Sequence, residues 1–231
     1  MNRPLNVVRL QLVNKMTYIW IPLLILVGAW VLSMGIYAML AGNGVPGPFY
    51  GGGSQAPLWY FLVVGIQALT FSFPFSQAMS ITRREFFLGT LLTAFLTAAI
   101  LSTVFLLGGF IEIATGGYGI NGYFFLLDWM WAPGWWAAWL IYFAIAMFMF
   151  VVGFWAATIY KRWGTIAITL LLVGLGALLV GAMWLIGRLD AWNEVSAWFA
   201  AQGSLGLTLW GVLLIAALAT TSYLTLRRAT P

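Results

Sequence analysis

Hydrophobic positions in this chain gather into six long runs, at approximately 18–41, 58–79, 86–111, 134–158, 164–187 and 205–226. Each supplies the roughly 20 residues that a helix needs to cross about 30 Å of hydrocarbon. None carries an ionisable residue in its middle. None alternates with period two, which argues against an outer-membrane barrel. The pattern predicts an all-α integral membrane protein with six transmembrane helices within 18–231. Ahead of them, residues 1–17 form an interfacial segment. There Leu5, Val8, Leu12 and Met16 fall on one side at helical spacing, with Arg3, Gln11, Asn14 and Lys15 on the other and Arg9 at the edge. That amphipathic pattern predicts a helix lying along the membrane surface. Between runs five and six, residues 188–204 place Trp192, Val195 and Phe199 on one face and Asp190, Asn193 and Glu194 on another. They predict a second amphipathic helix, external to the membrane.

The segments between the runs differ in kind. Residues 42–57 are rich in Gly and Pro without charge, a flexible turn sequence. Residues 112–133 carry Gly116, Gly117, Gly119 and Gly122, then Trp129, Met130 and Trp131. Together with Trp135, Trp136 and Trp139 these tryptophans form an aromatic belt at one interface. The connections at 80–85 and 159–163 are short and basic. The first run is about 24 residues long with no A-x-A site after it, so it reads as a retained span and not as a cleaved signal.

Composition strengthens the membrane reading and narrows the chemistry. The chain is 63% hydrophobic and only 6% charged, whereas a soluble domain is about 25% charged. Nine of the ten basic residues lie on one side: Arg3, Arg9 and Lys15, then Arg83 and Arg84, then Lys161 and Arg162, then Arg227 and Arg228. The other side holds Glu112, Asp128, Asp190 and Glu194, with Arg188 its one basic residue. The positive-inside rule therefore places both termini in the cytoplasm. The basic residues come in ones and twos at run ends, where they fix topology and do not point to nucleic acid.

Catalysis has little to draw on. The chain has no cysteine and no histidine, so thiolate sites, the commonest metal ligand and the commonest general base are all missing. The carboxylates lie near the membrane surfaces, not as an embedded pair. Lys15 and Lys161 are followed by Met16 and Arg162, so there is no P-loop. The chain reads as a non-enzyme that binds no metal or cofactor. The runs lack the ionisable residues through which ion coupling normally works. They do hold neutral polar groups: Gln67, Thr70, Ser72, Pro74 and Ser76 in run two, and Thr90, Thr93 and Thr97 on one face of run three. The threonines read as helix-packing groups. Gln67, near mid-membrane, needs a partner and reads as a cavity wall or a subunit interface. Pro74 predicts a kink. Gly174, Ala177 and Gly181 make a small-residue face in run five, suited to close helix packing.

The stretch between runs two and three is the most informative. Ser80-Ile81-Thr82-Arg83-Arg84-Glu85-Phe86 clusters three charges in a chain that has fifteen. Thr82 and Glu85 stand at capping-box spacing, which predicts a stiff, capped bend. Ile81–Gly89, so placed in a six-span layout, resembles the coupling segment of type-2 ATP-binding-cassette exporter permeases, which often reads Ser-Arg-Arg-Glu-Phe-Leu before a long span. Many of those permeases carry a large external domain after span one, where this chain has only residues 42–57.

That resemblance implies a permease paired with a second permease chain, identical or related, among membrane lipids. Each would dock a cytoplasmic ATP-binding-cassette ATPase subunit that binds the ATP and Mg. Ser80, Ile81, Thr82, Arg83, Arg84, Glu85 and Phe86 would couple to that ATPase. An apolar path with Gln67, Thr70, Phe71, Trp30 and Trp184 would carry an amphipathic or hydrophobic substrate such as a drug, lipid or peptide. The expected location is the cytoplasmic membrane of a bacterium. A membrane anchor or assembly protein that recruits a soluble partner fits the same basic inner face, and so does a passive channel.

Overall fold

Long apolar runs become helices because hydrocarbon offers the backbone no hydrogen-bonding partner outside its own segment. A computed structural model of the protein describes residues 3–227. Arg228, assigned above to the basic inner face, and residues 1–2 of the interfacial segment lie outside the described residues. Five helical segments are long and apolar enough to cross a membrane: Met16–Gly42, Gly52–Ala78, Arg83–Thr115, Trp135–Arg188 and Trp192–Leu226. The fold is all-α and of multi-pass membrane type, apart from one pair of two-residue strands.

In chain order, α1 is Arg3–Val13, and a π-helical turn at Met16–Trp20 leads into α2, Ile21–Gly42. Run two is divided into α3, Ala56–Thr70, and α4, Ser72–Ala78. The interruption at Phe71 follows from Pro74, which cannot donate to the carbonyl of Thr70 and crowds it. Next come α5, Arg83–Thr115, and α6, Asp128–Trp131, followed by α7, Trp135–Arg188, and α8, Trp192–Leu226.

Helix α7 corrects the predicted connection at 159–163. Lys161 and Arg162 are helical, and the backbone leaves helical geometry only at Gly164 (φ 79°, ψ −171°). The predicted amphipathic helix at 188–204 is the start of α8. It ends at a similar break, Gly203 (φ 59°, ψ −173°), and folds back so that Trp198 meets Trp210 at 6.1 Å. Both glycines occupy a region essentially closed to other residues.

The core lies where α3, α5 and the first half of α7 meet. Glycines set the closest approach: a side chain on Gly65 would strike the Phe150 carbonyl, and one on Gly153 would strike that of Leu62. Phe61, Phe73, Phe86, Phe105, Phe150 and Phe154 fill the remaining volume. The second half of α7 packs against almost nothing in the chain. Leu170, Val173, Leu178 and Val180 are exposed, and a side chain added at Gly174, Gly176 or Gly181 would meet nothing within 4 Å.

Two further expectations change. The packed face of α1 includes Val8 and Leu12 of the predicted apolar stripe but is turned away from its two ends. Val7, Val8 and Gln11 are buried, while Leu5 and Met16 are exposed. The cause is Gly89 of α5, whose missing side chain lets Val7 and the Pro4 carbonyl sit against that helix. The segment 42–57 is not a free loop either. Its strand β1, Phe49–Tyr50, pairs in parallel with β2, Gly122–Tyr123. Tyr50 stacks on Tyr123 at 5.5 Å and donates to Asp128 Oδ2 at 3.1 Å.

Candidate functional site

The bend between α4 and α5 is closed from both sides. At the end of α4, Ser80 takes a left-handed conformation (φ 56°). There its N–H bonds the Gln77 carbonyl and the Ile81 N–H bonds that of Ser76, each at 3.0 Å. This is the doubly bonded helix stop usually built around glycine. Thr82 then opens α5 with the expected capping box. Its hydroxyl accepts from the Glu85 N–H at 3.3 Å, and its own N–H donates to Glu85 Oε2 at 2.9 Å. Ile81 is the one residue between the stop and the cap, so the bend has no slack.

The bend is also fastened to the far end of the chain. Arg83 Nη1 donates to the carbonyls of Leu226 at 3.2 Å and Arg227 at 2.6 Å, satisfying the last turn of α8. Phe86 is fully buried against Phe73. Phe87 lies 6.0 Å from Phe154 of α7 and 5.1 Å from Tyr223 of α8. Thr158 and Thr225 hydroxyls meet at 2.9 Å nearby. Of the seven coupling candidates, Ser80, Thr82 and Arg84 are exposed, Ile81, Arg83 and Glu85 are half-buried, and Phe86 is an internal anchor.

The five path candidates are not gathered in one place. Gln67 and Phe71 line a single cavity of about 340 Å³ with Tyr18 and Ser72, beside the α3–α4 break. Thr70 turns its hydroxyl back to the Ile66 carbonyl at 3.0 Å. Trp30 meets Tyr118 edge-on at 5.5 Å in another part of the fold. Trp184 is 61% exposed on the uncovered half of α7, with the Arg188 guanidinium 5.2 Å from its ring. The threonines of run three behave as packing groups. All three are buried, Thr93 and Thr97 bond back to their own helix, and Thr90 accepts from Gln11 Nε2 at 2.9 Å.

Glu112 is the carboxylate that the protein itself buries. It belongs to the last turns of α5 and is 0% exposed. Oε1 accepts from the N–H groups of Phe124 (2.9 Å) and Phe125 (3.1 Å), and Oε2 from those of Phe125 (3.0 Å) and Leu126 (2.7 Å). Three successive backbone donors thus converge on one carboxylate. The Phe125 carbonyl in turn accepts from the Tyr142 hydroxyl and from Trp131 Nε1. Burial pushes the nearby Tyr118 phenol above its ordinary range, and the Glu112 charge adds to the shift. The arrangement pins residues 117–131 onto the ends of α5 and α7. The sequence signal for it was faint: a glutamate three residues before the end of a span, followed by a glycine-rich segment.

No protein-family model matches this chain, and no curated protein or solved structure matches it either.

Proposed function

We propose that this chain is the permease subunit of an ATP-driven exporter, coupled to its motor at the Ser80–Phe86 bend. The observation that carries this reading is the stiffness of that bend. Two helix ends are hydrogen-bonded shut within three residues, and Arg83 fastens them to α8. A soluble ATPase pressing on Ser80 and Arg84 would move α5 directly, and α7 and α8 through Phe87. A flexible loop would absorb such a push. The ATP and Mg belong to the ATPase, and this chain works without catalytic residues of its own.

The proposed topology has six crossings in the cytoplasmic membrane of a bacterium, with both termini inside. The length of α7 supports it. Its 54 residues are divided by the break at Gly164 and are far more than the roughly 20 that one crossing needs. Gly164 divides the helix into two segments of spanning length. The placing of α8 fits that direction: Ser204 lines one cavity with Ile141 at one end, and Thr225 bonds Thr158 at the other. On this topology the segment between Gly164 and Arg188 would carry the chain back across before α8 begins its descent. A second permease chain, identical or related, would cover the exposed half of α7 around Gly174, Ala177 and Gly181.

The chain has no cysteine, so single-cysteine chemistry tests the docking directly. In native membranes, Arg84→Cys treated with a short amine–thiol cross-linker is expected to capture a soluble ATPase, whereas Trp184→Cys is not. Capture of no soluble protein at Arg84→Cys, with the thiol shown to be reactive, would sink the docking site.

A further inference from the structure

The cavity beside the α3–α4 break has a feature that neither packing nor motor coupling uses. Gln11 of α1 is 2% exposed and holds Thr90 through Nε2, yet its Oε1 is buried with no hydrogen-bond partner. A buried polar atom left unpaired is destabilising, so a donor that reached it would be held. Gln11 forms part of the wall of the same cavity of about 340 Å³ that Gln67 lines, a volume within the range of small-ligand sites. Asn14, Thr17 and Ser72 add further hydrogen-bonding groups. None of the ten lining residues is charged. Phe71 and Phe75 form the apolar side and remain 73% and 63% exposed, while Phe73 between them is buried.

We infer that this cavity binds the uncharged, hydroxyl-bearing head of an amphiphile. The head exchanges hydrogen bonds with Gln67, Asn14 and Thr17, and donates to Gln11 Oε1 once that side chain turns its buried oxygen toward the cavity. The tail leaves along Phe71 and Phe75 toward the lipid. An ionic head fits poorly, because the wall offers no counter-charge and desolvating an ion unpaired is costly. A neutral polyol head has both donors and acceptors to match a wall of amides and hydroxyls. On the proposed topology the cavity lies toward the basic, inner side, so it would load from the inner leaflet. This inference rests on the exporter reading only in calling the ligand a substrate. Binding is measured without any ATPase, so either can fail without the other.

The test uses the full chain in phosphatidylcholine nanodiscs and a photoreactive dodecyl glucoside, with labelled peptides mapped by mass spectrometry. Saturable labelling is expected within residues 10–18 and 67–75. Dodecyl maltoside should compete, while dodecyl phosphocholine, dodecyl sulfate and free maltose should not. Gln67→Leu is expected to raise the competition midpoint about tenfold, the worth of one hydrogen bond of about 1.4 kcal/mol. Gln11→Leu should do the same, and because it also unfastens α1, Gln67→Leu serves as the variant that leaves the α1–α5 contact intact. Labelling that does not saturate, that spreads evenly over the spans, or that is unchanged in Gln67→Leu would overturn the inference. Equal competition by the phosphocholine would overturn the neutral head, and equal competition by free maltose would overturn the amphiphile.

Discussion

Single residues in this chain act mostly through the backbone. Thr82 and Glu85 satisfy each other's N–H groups, and either change to Ala is expected to cost about 1 kcal/mol. Arg84 is exposed beside them, so Arg84→Ala should leave thermal unfolding in detergent unchanged. Glu112→Gln should be far more damaging, since an amide replaces one acceptor oxygen with a donor facing backbone donors. A loss of about 2–3 kcal/mol is expected, read as a lower unfolding temperature. An unfolding temperature equal to wild type would show that the three N–H groups do not depend on the carboxylate. The two sites differ in legibility for a physical reason. A capping box is local, three residues apart, and can be read from spacing. The partners of Glu112 are N–H groups 12 to 14 residues away, and no side-chain pattern marks them. Gln11 was hidden likewise: its partner Thr90 lies 79 residues on, and its helix is docked by a glycine that carries no hydrophobic signal.

Elements follow hydropathy closely in existence and loosely in their ends. Runs three and four gained about a turn beyond their apolar limits, α5 reaching Thr115 and α7 staying helical past residue 158, because a helix continues until something stops it, and the stops there are Gly116 and Gly164. Runs four and five meet at a one-residue break, with no loop between them, because Lys161 and Arg162 are good helix formers and stay helical, so charge alone did not end run four. The break falls instead on Gly164, a single residue whose geometry few others adopt. Gly164→Ala is expected to destabilise by about 1–3 kcal/mol, and Gly203→Ala similarly, while Gly174→Ala, in open surroundings within a helix, should be neutral or slightly stabilising in the isolated chain. Equal unfolding temperatures for Gly164→Ala and Gly174→Ala would contradict the hinge. The small-residue contact between α3 and α7 was not foreseen, since Gly65 and Gly153 lie on separate runs and only their juxtaposition gives them meaning.

At the scale of the whole molecule, the membrane class was legible because a chain with so few charges has no other way to solvate itself. The locking of segment 42–57 to segment 112–133 through β1 and β2 was not, since two-residue strands leave no periodicity to detect. Cysteine labelling at Arg84→Cys and Lys161→Cys should proceed only after the membrane is made permeable. At Gln55→Cys and Asn193→Cys it should proceed from outside on intact cells. Any exchange between these two groups would remove the six-span arrangement. Within that arrangement, one side of the molecule is a stiff basic bend tied to the last helix, and half of α7 waits uncovered. Both features make sense for a subunit that is moved by one partner and paired with another.

The most direct test of that claim is ATP hydrolysis by whatever accompanies the tagged chain from its native membranes in mild detergent. A bound soluble ATPase is expected with the wild type and should be lost in Arg84→Glu, whose unfolding temperature should match the wild type. Replacing Arg83 or Glu85 would be a poorer choice, because both hold the bend together. Persistent absence of ATPase from an intact, monodisperse wild-type protein would contradict the exporter account.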